Sequence, residues 1–100
     1  MIRQFPRVTA PVGDHVSEYM DEFGIKAPTL AKKLGVPRSR IVRLLHGARC
    51  DGDMALRLGA LFGTTAEYWL TLQALHDLSS AQIENGQSIA ASVTRLDQVA

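Results

Sequence analysis

An all-α domain of five helices arranged about a helix-turn-helix is what this sequence predicts, and three observations carry the prediction. Apolar residues recur at three- and four-residue spacing, the period of one helical face, in successive windows. Glycines stand where those windows end, at Gly24, Gly35, Gly47 and Gly63, as helix stop signals should. Between them LAKKLGVPRSRIVRLLHG, residues 30–47, reads as a short helix, a tight turn at Gly35 and a second short helix carrying three arginines.

Residues 1–12 hold two prolines and two arginines without periodicity, which predicts an extended or mobile arm, of the kind that can reach into a minor groove. The first helix is expected over about 13–23, with Val16, Tyr19, Met20 and Phe23 on one face and Asp14 in the first turn, where a carboxylate suits the helix dipole. Its other side collects Asp14, Glu18, Asp21 and Glu22. Such a face is either simply solvated or a docking surface for a basic protein.

The second helix is expected over 27–34, with Pro28 tolerated in its first turn; Lys26 precedes it where a capping side chain would normally stand, and nothing in the sequence explains that choice. Thr29 and Lys33 are placed to touch a phosphate, although a lysine near a helix end also complements the dipole. The third helix is expected over 37–46, opened by Pro37 and stopped by Gly47. At about 100° per residue, Ile41, Leu44 and Leu45 fall on one side and Ser39 and Arg43 on the other, with Arg38 and Arg40 flanking the exposed side. Leu30, Ala31 and Leu34 supply a partner for the apolar stripe, so the outer face is left free.

A fourth helix over 52–62 is capped by Asp51 or Asp53 and is expected to face the core largely through Ala55, Leu58, Ala60, Leu61 and Phe62. A fifth over 65–78 begins at Thr64 or Thr65 and spreads Tyr68, Trp69, Leu70, Leu72, Leu75 and Leu78 over more than one face. That pattern predicts burial on two sides, one of them against a partner subunit. Residues 79–100 are read as an extension, partly helical or ordered only on contact, capped anew at Ser79 or Ser80 and interrupted at Gly86.

One hundred residues make one small domain. The net charge is only +1, yet Lys26 to Arg49 contains seven lysines and arginines and no acid. A basic block centred on a helix-turn-helix is the electrostatic footprint of a protein that meets phosphates from one face. Arginine's planar fork can pair with O6 and N7 of guanine in a major groove wide enough for a helix. An arginine-rich face also keeps a helix soluble, so charge distribution rather than any single arginine decides the reading.

Cys50 is alone, which excludes an intrachain disulfide and suits a cell interior. His15, His46 and His76 lie about thirty residues apart, outside metal-ligand spacing, and no metal or cofactor is expected. No stretch has the length of a signal peptide core or of a membrane span, so a soluble cytoplasmic protein is expected. No nucleophile has a base at a recognisable spacing and no glycine-rich phosphate loop is present, so no catalytic residue is assigned. Asp14 and His15 are adjacent on a helix, and adjacent side chains diverge by about 100°.

The order of these signals resembles the HigA-type (VapI-like) antitoxins of type II toxin–antitoxin systems, within the Cro and lambda-repressor (XRE) helix-turn-helix class, over about residues 11–78. LAKKLGVPRSRIVRLLHG is similar to the wider class; MALRLGALFGTTAEYWLTLQ and the following LHDL resemble the antitoxin branch. The resemblance implies a five-helix lambda-repressor-like domain that dimerises, binds its own promoter as a repressor, and neutralises a small basic RelE-like endoribonuclease. It implies base reading by Arg38, Ser39 and Arg43, backbone contacts by Arg40 and Arg49, and a dimer contact through Tyr68, Trp69, Leu72 and Gln73. The chain departs from the family pattern at Ala27, where a phosphate-holding glutamine often stands, at Pro37, and at Pro11-Val12-Gly13 in place of His-Pro-Gly.

A dimer of this kind would offer two third helices, one helical turn apart, to successive major grooves. The alternative is a stand-alone repressor without a toxin, and a third reading keeps the fold for protein association alone. A short basic reading frame beside the gene separates the first two; an operator shift assay at two salt concentrations separates the third.

Overall fold

Glycine and proline punctuate the chain, and the periodic segments between them are all helical. The computed structural model describes residues 4–97, with α1 (Val12–Phe23), α2 (Ala27–Leu34), α3 (Arg38–Leu45), α4 (Gly52–Phe62) and α5 (Ala66–Ser92). No strand occurs among the described residues, and the fold is all-α. The sequence windows of the second and fourth helices coincide with α2 and α4; α1 begins one residue early, at Val12, and Pro37 stands just before α3 as its N-cap.

The core is assembled from one face of each helix. Val12, Val16 and Met20 of α1, Leu30, Ala31 and Leu34 of α2, Ile41 and Leu44 of α3, Met54, Ala55 and Leu58 of α4, and Trp69 of α5 form one buried cluster that also takes in Cys50. Trp69 is its largest member, and its indole N–H donates to Thr64 Oγ1 at 2.7 Å, so a bulky ring is buried without an orphan donor. Asp51 caps α4 by accepting from the Met54 amide at 2.8 Å, and Thr65 caps α5 by accepting from Tyr68 at 3.1 Å. Lys26 gives α2 no side-chain cap.

Close approach of α1 to the end of α3 depends on Gly13. A Cβ there would lie 2.1 Å from the Leu44 carbonyl oxygen and 3.0 Å from Leu45 Cα, so only glycine fits. The amino end of α1 thereby sets where α3 finishes.

Two expectations from the sequence are corrected by the fold. The fifth helix does not stop near residue 78 and restart; α5 runs for 27 residues, straight through Gly86. No proline lies within it, and a single helical glycine costs only about 1 kcal/mol relative to alanine, too little to break an otherwise continuous helix. Ser79, read as a new cap, is instead fully buried within that helix.

Ser79 is covered by the amino-terminal arm. The amino-terminal arm is tied down along α5 rather than loose: Phe5 N–H donates to Gln82 Oε1 at 2.9 Å and Thr9 N–H to Ser79 Oγ at 2.9 Å. The Thr9 carbonyl meets His76 Nδ1 at 2.7 Å. The ends of the arm and of the extension, residues 1–3 and 98–100, lie outside the described residues. Beyond the arm the distal half of α5 projects, making the molecule 57 Å long and 20–22 Å across, and exposes Leu78, Ile83 and Ile89 beside an open groove of about 580 Å³.

Candidate nucleic-acid interface

The helix-turn-helix is held from behind by a chain of charges. Gly35 takes φ +71°, which closes α2, and Arg57 of α4 reaches across to donate from Nη1 to the Leu34 carbonyl at 2.8 Å. The same guanidinium pairs through Nε with Asp53 at 2.8 Å. Asp53 also binds Arg40 of α3 at 3.0 Å, and Arg40 reaches Asp51 at 3.2 Å. The Asp53 carboxyl is held below its usual range, first by its hydrogen bond from Arg57 and then by that from Arg40. One network therefore fixes the end of α2, the face of α3 and the start of α4 relative to one another.

With its back anchored by Ile41 and Leu44, α3 turns Arg38, Ser39, Val42 and Arg43 to solvent. No side-chain hydrogen bond or ion pair within the described residues engages Arg38, Ser39 or Arg43. Thr29 and Lys33 are exposed on the neighbouring α2, with Lys32 beside them. Four exposed cations, Lys32 and Lys33 of α2 and Arg38 and Arg43 of α3, thus stand on the two helices of the motif.

The other sequence-assigned arginines are engaged inside the chain. Arg40 is half-buried and committed to Asp51 and Asp53, so it positions α3 as well as adding charge. Arg49, in the loop after α3, donates from Nη1 to Asp77 Oδ2 at 2.6 Å, and that hydrogen bond holds the Asp77 carboxyl below its usual range. Arg40, Arg43 and Arg49 line a shallow concavity of about 220 Å³ with Ala48 and Asp51. Cys50 lies next to this loop, and burial pushes its thiol up to about 11, so it stays protonated and unreactive near neutral pH.

Two of the four residues assigned to a dimer contact need correcting. Trp69 is fully buried within its own chain, against Tyr19, Phe62 and Tyr68, and Gln73 is buried with its Oε1 accepting from the Cys50 amide at 2.8 Å. α1 and α4 cover the side of α5 that carries Trp69 and Gln73, while Tyr68, Leu70 and Leu78 leave another apolar side exposed. Tyr68 remains exposed and Leu72 is partly buried.

Asp14, Glu18, Asp21 and Glu22 are all exposed on α1, and no ion pair among the described residues neutralises them. Phe23, on the apolar face with Val16 and Met20, is nevertheless 60% exposed at the end of that helix, stacked on Phe62 at 6.1 Å between ring centroids. Sequence reasoning missed Arg57, Asp53 and Asp77 as positioning residues. The four-residue step from Asp53 to Arg57 signals a helical pair; nothing in the sequence links Arg49 to Asp77. No helix in the described residues is long and apolar enough to cross a membrane.

No protein-family model matches the chain. Antitoxin HigA-1 of Vibrio cholerae is 32% identical over 78 residues, which cover 77% of this chain and 74% of the relative. Virulence-associated protein I of Dichelobacter nodosus is 41% identical over 73 residues, covering 72% of this chain and 67% of the relative. The solved structure of the antitoxin GraA in complex with its operator superposes with a TM-score of 0.87 at 33% identity, over 98% of this chain and 99% of that one. Two of these relatives are antitoxins, one of them solved on its operator, and the agreement in sequence and fold means that the chain belongs to the HigA-type (VapI-like) family of helix-turn-helix antitoxins.

Proposed function

We propose that this chain is an antitoxin that binds its own promoter as a dimer, through α2 and α3, and neutralises a small basic RelE-like endoribonuclease. The observation that carries the DNA reading is selective engagement. Arg40, Arg49 and Arg57 are paired within the chain, whereas Arg38, Ser39 and Arg43 on the outer face of α3 are not. In this reading Arg38, Ser39 and Arg43 meet base edges, and Thr29, Lys33, Arg40 and Arg49 lie toward the phosphates.

Dimerisation is assigned to the exposed side of α5, with Tyr68 and Leu72 kept from the sequence reading and Leu78, Ile83 and Ile89 added by their exposure. A helix segment that projects from its own domain with apolar side chains in water is stabilised by packing on another helix. The toxin is assigned to the acidic face of α1, where Asp14, Glu18, Asp21 and Glu22 complement a basic partner and Phe23 offers an apolar anchor.

Fluorescence anisotropy on a labelled duplex from the chain's own promoter, at two salt concentrations, tests the first half. Binding that prefers this duplex over an unrelated one and weakens as salt rises is expected. Equal binding to both duplexes would remove the repressor role. Co-expression with the product of the adjacent reading frame tests the second half: the two proteins should purify together, and their failure to do so would leave a stand-alone repressor.

A further inference from the structure

We propose that Asp77 competes with the DNA backbone for Arg49, so that α5 sets how tightly the domain holds any duplex; this rests on the DNA-binding reading above. Arg49 stands four residues beyond the end of α3, on the rim of the concavity it shares with Arg40 and Arg43. Its side chain is 70% exposed, so a phosphate can approach it, yet its Nη1 is already 2.6 Å from Asp77 Oδ2.

An ordinary surface ion pair is loose and is replaced by water at little cost. This one is held. The other oxygen of Asp77 accepts from Gln73 Nε2 at 3.0 Å, and Gln73 is itself buried and fixed by the Cys50 amide at 2.8 Å. Cys50 directly follows Arg49, so the buried amide of Gln73 positions the carboxylate and the arginine-bearing loop together. The acids around Arg40 differ in this respect, because Asp51 also caps α4 and Asp53 also holds Arg57. Asp77 makes no such second link to the helix-turn-helix frame beyond its contact with the loop.

A phosphate reaching Arg49 therefore meets a guanidinium whose charge is already balanced. Either the carboxylate is displaced or the contact releases no counterion. Removing the carboxylate charge while keeping the Gln73 bond should leave one more free cation facing the duplex, and each phosphate neutralised adds about 0.9 to the slope of log affinity against log salt.

The test compares wild type, Asp77→Asn, Arg49→Ala and the double variant by anisotropy on two labelled 30-base-pair probes, one from the promoter and one of mixed sequence. Asparagine can still accept from Gln73, and Asp77→Ser serves as a second variant should Asp77→Asn melt early. Asp77→Asn should tighten binding to both probes. Its gain should be about 3.5-fold larger at 50 mM than at 200 mM salt for each Arg49 that meets the duplex, about 0.9 of added slope apiece, and so about twelvefold for a dimer. In the Arg49→Ala background the same substitution should change neither affinity nor slope. A gain of equal size in both backgrounds would mean simple long-range repulsion, and no gain in either would mean no competition; both overturn the proposal while leaving DNA binding intact. A wild type that binds neither probe would overturn the DNA-binding reading and this inference with it.

Discussion

Trp69→Ala is expected to remove about 3–5 kcal/mol of folding stability, the range for deleting a large buried ring. The ring is fully buried, and it joins three helices: Tyr19 of α1 packs at 5.5 Å and Phe62 of α4 at 6.0 Å between ring centroids. Alanine would leave a cavity at the junction of α1, α4 and α5 and remove the indole N–H that Thr64 Oγ1 now accepts. For a domain of this size the loss corresponds to a fall of about 12–40 °C in melting temperature, against a total stability of about 5–15 kcal/mol. Urea unfolding followed by circular dichroism measures it. A loss below about 1 kcal/mol would place Trp69 on the surface in solution and return it to the dimer contact implied by the family resemblance.

Gly13→Ala should be the second large effect, and its sign is diagnostic. Alanine is intrinsically favoured over glycine in a helix by about 0.5–1 kcal/mol, so at a free position the substitution would stabilise. Here the new methyl would sit 2.1 Å from the Leu44 carbonyl oxygen. That oxygen belongs to the backbone and cannot swing aside as a side chain could, so α1 must withdraw from the end of α3. Overpacking of this kind costs about 1–3 kcal/mol, which outweighs the helix preference. Because the end of α3 moves with it, DNA affinity should fall along with stability, in contrast to a surface arginine variant that lowers affinity alone. Thermal melting and anisotropy on one preparation separate the two cases; a stabilised protein would mean that α1 and α3 stand further apart than described.

The helix-turn-helix and the five-helix fold were legible because their boundaries are written as residue types. Gly35 and Gly63 end α2 and α4, and Asp51 begins α4. The outward direction of Arg38, Ser39 and Arg43 follows from helical period alone. The length of α5 was not legible, because Ser79 has the identity of a cap and its burial depends on an arm seventy residues away in sequence. The reading of Trp69 and Gln73 as dimer residues failed for a related reason. Period shows that a helix is apolar on two sides, but not which side α1, α4 and the Cys50 loop of the same chain cover; they cover the one with Trp69 and Gln73 and leave Tyr68 and Leu78 exposed. The engagement of Arg40 and Arg49 was invisible because their carboxylates lie on α4, on its cap and on α5, 11–28 residues along the chain.

Promoter recognition depends on the outer face of α3 reading bases, and Arg43→Ala on the promoter duplex tests that most directly. Arg43 makes no internal pair, so its loss should leave the melting temperature unchanged. Affinity for the promoter duplex should fall by about 5- to 150-fold, the equivalent of ~1–3 kcal/mol for a bidentate arginine–guanine contact, with a much smaller loss on an unrelated duplex. Equal losses on both duplexes would make Arg43 a phosphate contact, and no loss on either would place the reading face elsewhere.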